Sequence, residues 1–186
     1  MDAKTHWEKV YTTKEPEAVS WYSAHLEISL ALIERAAPSR SASIIDIGAG
    51  ESTLVDDLLV RGYENITLLD VSQTALEATK KRLGLHAQQV NWNVADITQV
   101  ELEPFAYDVW HDRAVFHFLT SNEQRAGDVR NVAKAVNPGG HVIISTFGPE
   151  GPTKCSGLEV MRYDTESLHN EFGTTQQFLY CYCKVE

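Results

Sequence analysis

Apolar residues along this chain recur with two alternating periods. From Trp21 to Ala37 the spacing is helical: Tyr22, Leu26, Leu30, Ile33 and Ala37 share one face, Ser20 stands as N-cap, and Pro38 follows the end. A shorter helical segment, "THWEKVY", precedes it at Thr5 to Tyr11. Next comes a β-branched apolar run, "SIIDI" (Ser43 to Ile47), then a helix from Leu54 to Leu59 that closes near Gly62. The alternation continues with a strand at Asn65 to Asp70, a helix from its cap Ser72 to Gly84, and strands at Gln89 to Val94 and Tyr107 to Asp112. Ser121 and Gln124 form a capping box; their helix packs through Val129, Val132, Ala133 and Val136 and stops at "NPGG". A fifth strand at His141 to Phe147 leads into a Gly/Pro-rich loop. A short helix at Asp164 to Phe172 and a last strand at Gln176 to Val185 complete the pattern.

Alternating β and α elements with strands this apolar predict an α/β fold, a mostly parallel sheet covered on both faces and wound by right-handed crossovers. Neither repeats nor linkers break the chain, so residues 1–186 read as one domain. Residues 1–37 form N-terminal helices or a lid, 43–147 a ligand-binding core, and 148–186 a substrate-side loop, helix and last strand. Ligands in such sheets sit beyond the carboxyl ends of the strands. Asp46, Asp70, Asp96 and Asp112 each lie at or just past the end of one of the first four strands.

Composition narrows the partners. The net charge of −10 repels nucleic acid and anionic membrane surfaces, and no apolar run is long enough to span a bilayer. The N-terminal residues lack the plan of a signal peptide, and three cysteines give no disulfide framework; the expected setting is cytoplasmic. Cys181 and Cys183, two apart in a strand, are expected to share one face as small core residues. No histidine pair has trusted metal spacing, so no metal is expected: His111 and His117 are not the i, i+4 pair of a helical zinc site.

The stretch "IIDIGAGES" joins the first strand to the next helix. Gly48 and Gly50 permit a sharp turn and close backbone approach, and Asp70 follows at about the spacing of a ribose-binding acid. A dinucleotide is disfavoured: Thr53 stands where the third glycine of G-x-G-x-x-G/A belongs, and Glu51 would repel a pyrophosphate. That carboxylate tolerates a ligand with an ammonium and a sulfonium and no phosphate, as in S-adenosylmethionine.

At this point the chain resembles a class I S-adenosylmethionine-dependent methyltransferase, of the small bacterial kind with a type-12 methyltransferase domain. The likeness rests on "IIDIGAGES", "ITLLDVS", "VADIT", "YDVWHDRAVFHFL" and "VNPGGHVIIST", in order between Trp7 and Phe147. "DRAVF" is loosely similar to a stretch of eukaryotic protein-lysine methyltransferases. The resemblance implies a Rossmann-like fold, S-adenosylmethionine as cofactor and S-adenosylhomocysteine as product. It implies that Asp46, Gly48 and Gly50 hold the methionine end, Asp70 with Val71 the ribose, and Asp96 with Ile97 the adenine. His111 would lie near the sulfonium and the acceptor.

Methyl transfer from a sulfonium needs alignment, a dry site and, for a protonated acceptor, a base. His111 is the candidate base, with Asp112 orienting it or holding a cationic substrate. Arg113 either pairs with Asp112 or reaches the substrate, and His117 is a further candidate on that side. Trp7, Tyr11, Trp21 and Tyr22 either pack against the domain or form a lid whose aromatic faces attract a cation. The acceptor is a small molecule or a protein side chain. A non-catalytic cofactor-binding module is the alternative, because the chain is shortened before its last strand by roughly ten to twenty residues of usual element length. The short loop from Phe172 to Thr175 makes the last strand parallel to its neighbours, or the sheet edge is rebuilt; the protein is a monomer or a dimer through that edge.

Overall fold

A computed structural model describes residues 2–173 and 177–183, the side chains of 177–183 excepted. In chain order the elements are α1 (Ala3–Thr13), α2 (Glu27–Ala36), β1 (Ser43–Ile47), α3 (Leu54–Val60), β2 (Asn65–Asp70), α4 (Gln73–Leu83), β3 (Val90–Val94) and β4 (Tyr107–Arg113). There follow α5 (Asn122–Ala135), β5 (Val136–Phe147), β6 (Lys154–Cys155), β7 (Leu158–Glu159), α6 (Thr165–Phe172) and β8 (Gln177–Cys183). Six strands form one sheet in the order β3-β2-β1-β4-β5-β8, and each neighbouring pair runs parallel. The chain reverses its winding between β1 and β4, which makes that crevice the ligand-binding position of the topology.

Side-chain alternation along the strands divides the core in two. Ile44, Leu68, Val109 and Ile143 pack with α2, α3 and α4 on one face. Ile45, Leu69, Trp110 and Ile144 pack with α5 and α6 on the other. Parity therefore sends Asp46 and His111 to the first face and Asp112 to the second.

Local signals set most element ends. The Ser121 capping box opens α5, and Ser72 caps α4, accepting from Ala75 N. Three segments differ from expectation. Helix α2 begins at Glu27, and Ser20 is no N-cap. Residues before it are drawn off as a loop: Thr53 Oγ1 donates to Ser23 O at 2.9 Å and Arg113 donates to Trp21 O at 2.8 Å. Strand β5 starts at Val136, before "NPGG", because Asn137 Nδ2 donates to Asp108 Oδ1 at 2.7 Å and ties that segment to β4. Inside the Gly/Pro-rich loop, Ser156 and Gly157 both take positive φ and turn β6 into β7 as a two-residue hairpin.

The last strand is parallel to β5, one of the two outcomes its short preceding connection left open. The expected shared face of Cys181 and Cys183 lies outside the described side chains, and Gln176, Lys184 and Val185 lie outside the described residues. Among the described residues, no helix is long and apolar enough to cross a membrane, and no group of three His, Cys, Asp or Glu is placed to hold a metal.

Candidate functional site

The turn after β1 is shaped by two glycines in the left-handed region, Gly48 at φ +61° and Gly50 at φ +53°. Both are closely covered. A Cβ on Gly48 would stand 2.0 Å from Val115 Cγ2, and one on Gly50 would stand 2.4 Å from the Tyr11 hydroxyl. The rest of the turn is held from α4: Thr79 Oγ1 donates to Gly50 O at 3.0 Å, and Arg82 donates to Glu51 O at 2.9 Å and Ser52 O at 2.7 Å.

Beside this turn, between β1 and β4, lies a cleft of about 50 Å³. Its floor includes Asp46, Gly48 and His111; its walls include Tyr11, Trp21, Glu51 and Arg113. In the β1–β4 register Asp46 and His111 are direct neighbours. His111 Nδ1 lies 2.6 Å from Asp46 Oδ1, and its Nε2 lies 2.9 Å from Ser29 Oγ on α2. Asp46, His111 and Ser29 are 3%, 1% and 7% exposed. Both imidazole nitrogens thus have partners inside the chain, and the carboxylate that orients His111 is Asp46.

Asp112 needs correction. It neither orients His111 nor faces the cleft, because adjacent strand residues point to opposite faces. Its carboxylate is fully buried and accepts from Val115 N at 2.9 Å and Phe116 N at 3.0 Å, fixing the loop after β4. Burial raises its pKa to about 7 although those N–H groups pull it down. Arg113 does not pair with Asp112; it bonds Trp21 O and lines the cleft. Ala114, next in the loop, is held at φ +68°, a region a non-glycine residue seldom occupies.

Asp70 closes β2. Its two oxygens accept from Gly50 N at 2.8 Å and Ser72 N at 2.7 Å, and it is 5% exposed. Burial pushes its pKa up to about 6 against those donors. In this arrangement its hydrogen bonds brace the glycine turn from below, with Val71 half-buried beside it. Asp96 is half-buried and caps its own turn, accepting from Thr98 N at 2.9 Å and Thr98 Oγ1 at 2.7 Å. Ile97 is buried, and its carbonyl accepts from Asn131 Nδ2 of α5 at 2.7 Å.

The N-terminal aromatics form one cluster over the cleft. Trp7 meets Tyr11, Trp21 and Phe118 with ring centroids 6.0, 5.9 and 5.1 Å apart. Burial, then the negative charges of Asp70 and Glu51, holds the Tyr11 phenol far above its usual range, so it stays protonated. His117 is fully buried, stacked on Phe147 at 4.7 Å, and neither ring nitrogen has a hydrogen-bond partner. Burial lowers its pKa to about 4 and keeps it neutral.

Two residues of the site escaped sequence reasoning. Ser29 carried a readable signal: it is a polar residue on the buried face of α2, between Leu26 and Ile33. Glu8 carried none. Its carboxylate accepts from Gln73 N at 2.7 Å and Thr74 N at 3.3 Å, so α1 caps the N-terminus of α4.

Comparison with known proteins follows the same geometry. A family model described as a methyltransferase domain matches residues 45–142. The eEF1A lysine and N-terminal methyltransferase of Mus musculus is 25% identical over 138 residues, covering 74% of this chain and 19% of that protein. The ubiquinone biosynthesis O-methyltransferase of Alkalilimnicola ehrlichii is 33% identical over 138 residues, covering 73% of this chain and 54% of that one. The chain thus spans about a fifth of the first relative and about half of the second. Among solved structures, Haemonchus contortus phosphoethanolamine N-methyltransferase 1, in complex with phosphoethanolamine and S-adenosylhomocysteine, superposes with a TM-score of 0.65 at 16% identity. That match covers 89% of this chain and 34% of that one. A structure described as "Conversion of a Disulfide Bond into a Thioacetal Group during Echinomycin Biosynthesis" superposes with a TM-score of 0.74 at 18% identity, covering 92% and 78%.

Proposed function

Because the chain belongs to the methyltransferase-domain family, whose cofactor is S-adenosylmethionine, we propose that it transfers a methyl group from that cofactor to a small-molecule or protein side-chain acceptor. One observation carries the reading: the cleft beside the glycine turn is lined by a carboxylate, Asp46, and a guanidinium, Arg113. The methionine end of the cofactor is a zwitterion, and these are the charges complementary to its ammonium and carboxylate. Among the described residues, Asp46 Oδ2 has no hydrogen-bond partner, while Oδ1 is taken by His111. Glu51 adds negative charge at the wall, which suits a cationic ligand and opposes a phosphate.

Asp46, Arg113 and the backbone of Gly48 and Gly50 would hold the methionine end. Asp70 with Val71 would border the ribose, and Asp96 with Ile97 the adenine. The cleft is smaller than the roughly 300–1,000 Å³ of ordinary small-molecule sites. We therefore read α1 as a lid: Tyr11 covers Gly50 and Glu8 caps α4, so the helix must lift for a whole cofactor to enter and can then close over it.

When bound, the cofactor supplies an activated methyl group. This chain's own residues bind, align and exclude water. The aromatic cluster of Trp7, Tyr11, Trp21 and Phe118 shuts water from the cleft and offers ring faces to a positive centre. His111 stays within its hydrogen-bonded chain. His117 is a neutral, buried imidazole whose ring nitrogens have no hydrogen-bond partner among the described residues, and it does not line the cleft.

Calorimetric titration with S-adenosylmethionine, S-adenosylhomocysteine and NAD tests the reading. Micromolar binding of the two adenosyl-sulfur ligands, weakened in Asp46→Ala and Arg113→Ala, is the expected result. Binding of NAD alone would overturn it. Cofactor binding without methyl transfer to lysine peptides, amines or phenols would favour the non-catalytic module instead.

A further inference from the structure

Asp46, His111 and Ser29 form a hydrogen-bonded chain of carboxylate, imidazole and hydroxyl, closed at 2.6 and 2.9 Å and almost wholly buried. Its connectivity matches that of a nucleophilic triad. The placement does not: Asp46 and His111 line the cleft, while Ser29 lies behind them on α2 and is absent from the cleft wall. The hydroxyl cannot meet a ligand there, so its effect must pass through the imidazole.

We propose that Ser29 is a positioning residue that holds the His111 ring, in its Nδ1–H tautomer, against Asp46 and so presents the Asp46 carboxylate to the ammonium of the cofactor's methionine moiety. An ionised carboxylate only accepts hydrogen bonds, so the nitrogen facing Asp46 must carry a proton. The other nitrogen of a neutral imidazole is then an acceptor, and the Ser29 hydroxyl donates to it. Asp46 thus sets the tautomer, and the Ser29 hydroxyl, bonded to the far nitrogen, fixes the orientation of the ring. The consequence is directional. Asp46 Oδ1 is pinned by His111, and Oδ2 is left at the cleft. Without the Ser29 donor the ring is free to rotate or flip, and the carboxylate it anchors loses its fixed orientation. The inference rests on the cofactor reading above.

The test uses the full chain and the variants Ser29→Ala and Ser29→Thr, with melting temperature and near-ultraviolet circular dichroism to verify folding. The first readout needs no ligand: long-range ¹H–¹⁵N correlation of the His111 ring. In the wild type we expect Nδ1 protonated and Nε2 unprotonated; in Ser29→Ala the Nε2 ¹⁵N signal should move to that of an acceptor nitrogen without a hydrogen bond, and Ser29→Thr should keep the wild-type shift. The second readout compares S-adenosylhomocysteine with 5′-methylthioadenosine, which lacks the amino-acid end. Ser29→Ala should weaken the former about three- to tenfold, the scale of one hydrogen bond, and Ser29→Thr should restore it. Methylthioadenosine affinity should be unchanged in both.

A wild-type ring protonated at both nitrogens, or on Nε2 alone, overturns the proposal. So does a folded Ser29→Ala that binds S-adenosylhomocysteine as the wild type does, or loses both ligands equally; the cofactor reading survives these results. Failure of the wild type to bind S-adenosylhomocysteine at all removes the cofactor reading, and this proposal with it. If Ser29→Ala does not fold, the wild-type ring spectrum and Ser29→Thr decide.

Discussion

Asp128 is an acid in the wrong place for a charge. It sits on α5, fully buried against the second face of the sheet, and neither carboxyl oxygen has a hydrogen-bond partner. Burial, and then the neighbouring Asp112 carboxylate, raises its pKa well above the ordinary 3.8. The folded protein therefore keeps Asp128 protonated at pH values where the unfolded chain ionises it. Its contribution to stability is complete below the unfolded pKa and is lost as pH rises. Starting near pH 4, each further pH unit costs about 1.4 kcal/mol until the folded carboxyl itself ionises. Asp112 has the same sign and stops contributing at about pH 7. His117 works oppositely: its pKa is lowered from 6.5 to about 4, so stability increases as pH climbs through that window. A wild-type pH profile mixes these slopes, whereas the difference between wild type and Asp128→Asn reports Asp128 together with its coupling to Asp112. Asn matches the neutral acid in size and does not titrate. Urea unfolding followed by tryptophan fluorescence at pH 4, 5, 6 and 7 should give similar stabilities at pH 4. The variant should then gain on the wild type as pH rises above 4. Parallel curves, or a variant that loses ground as pH rises, would refute a buried, unpartnered acid at this position.

Four further outcomes follow from the geometry. Gly48→Ala meets both a positive φ and Val115 Cγ2, so it should lower the melting temperature and abolish S-adenosylhomocysteine binding in calorimetry. Ala114→Gly relieves a left-handed alanine but loosens the unfolded chain, so urea unfolding should show between no change and about 1 kcal/mol of stabilisation. Glu8→Ala removes the acceptor from the α4 N-terminus and should cost about 0.5–1 kcal/mol; limited proteolysis should cut residues 3–25 faster. Asp112→Ala should destabilise the fold by freeing the Val115 and Phe116 amides, while the folded fraction binds S-adenosylhomocysteine with wild-type affinity.

Much of the architecture was legible in the chain because it is written in local chemistry. The apolar runs at Ser43–Ile47 and Asn65–Asp70 became β1 and β2 at those bounds, and Ser72 and the Ser121–Gln124 box opened the helices they announced. The glycine turn and the acids near the strand ends also followed from sequence pattern, whereas the direction of the last strand, left open by its short connection, was decided by its pairing with β5. Tertiary structure decided what each side chain faces. His111 and Asp112 look like partners in the sequence, yet strand alternation sends them to opposite layers. The residue that pairs with His111 is Asp46, sixty-five positions earlier, brought alongside by parallel register. Residues 21–26 continue a helical pattern, but contacts from Thr53 and Arg113 take their carbonyls and make them a cleft wall. Ser29 and Glu8 gained their roles the same way, through partners distant in sequence. Periodicity and capping act within a few residues and can be read along the chain; hydrogen bonds across the sheet and from helix α1 exist only once the layers have met.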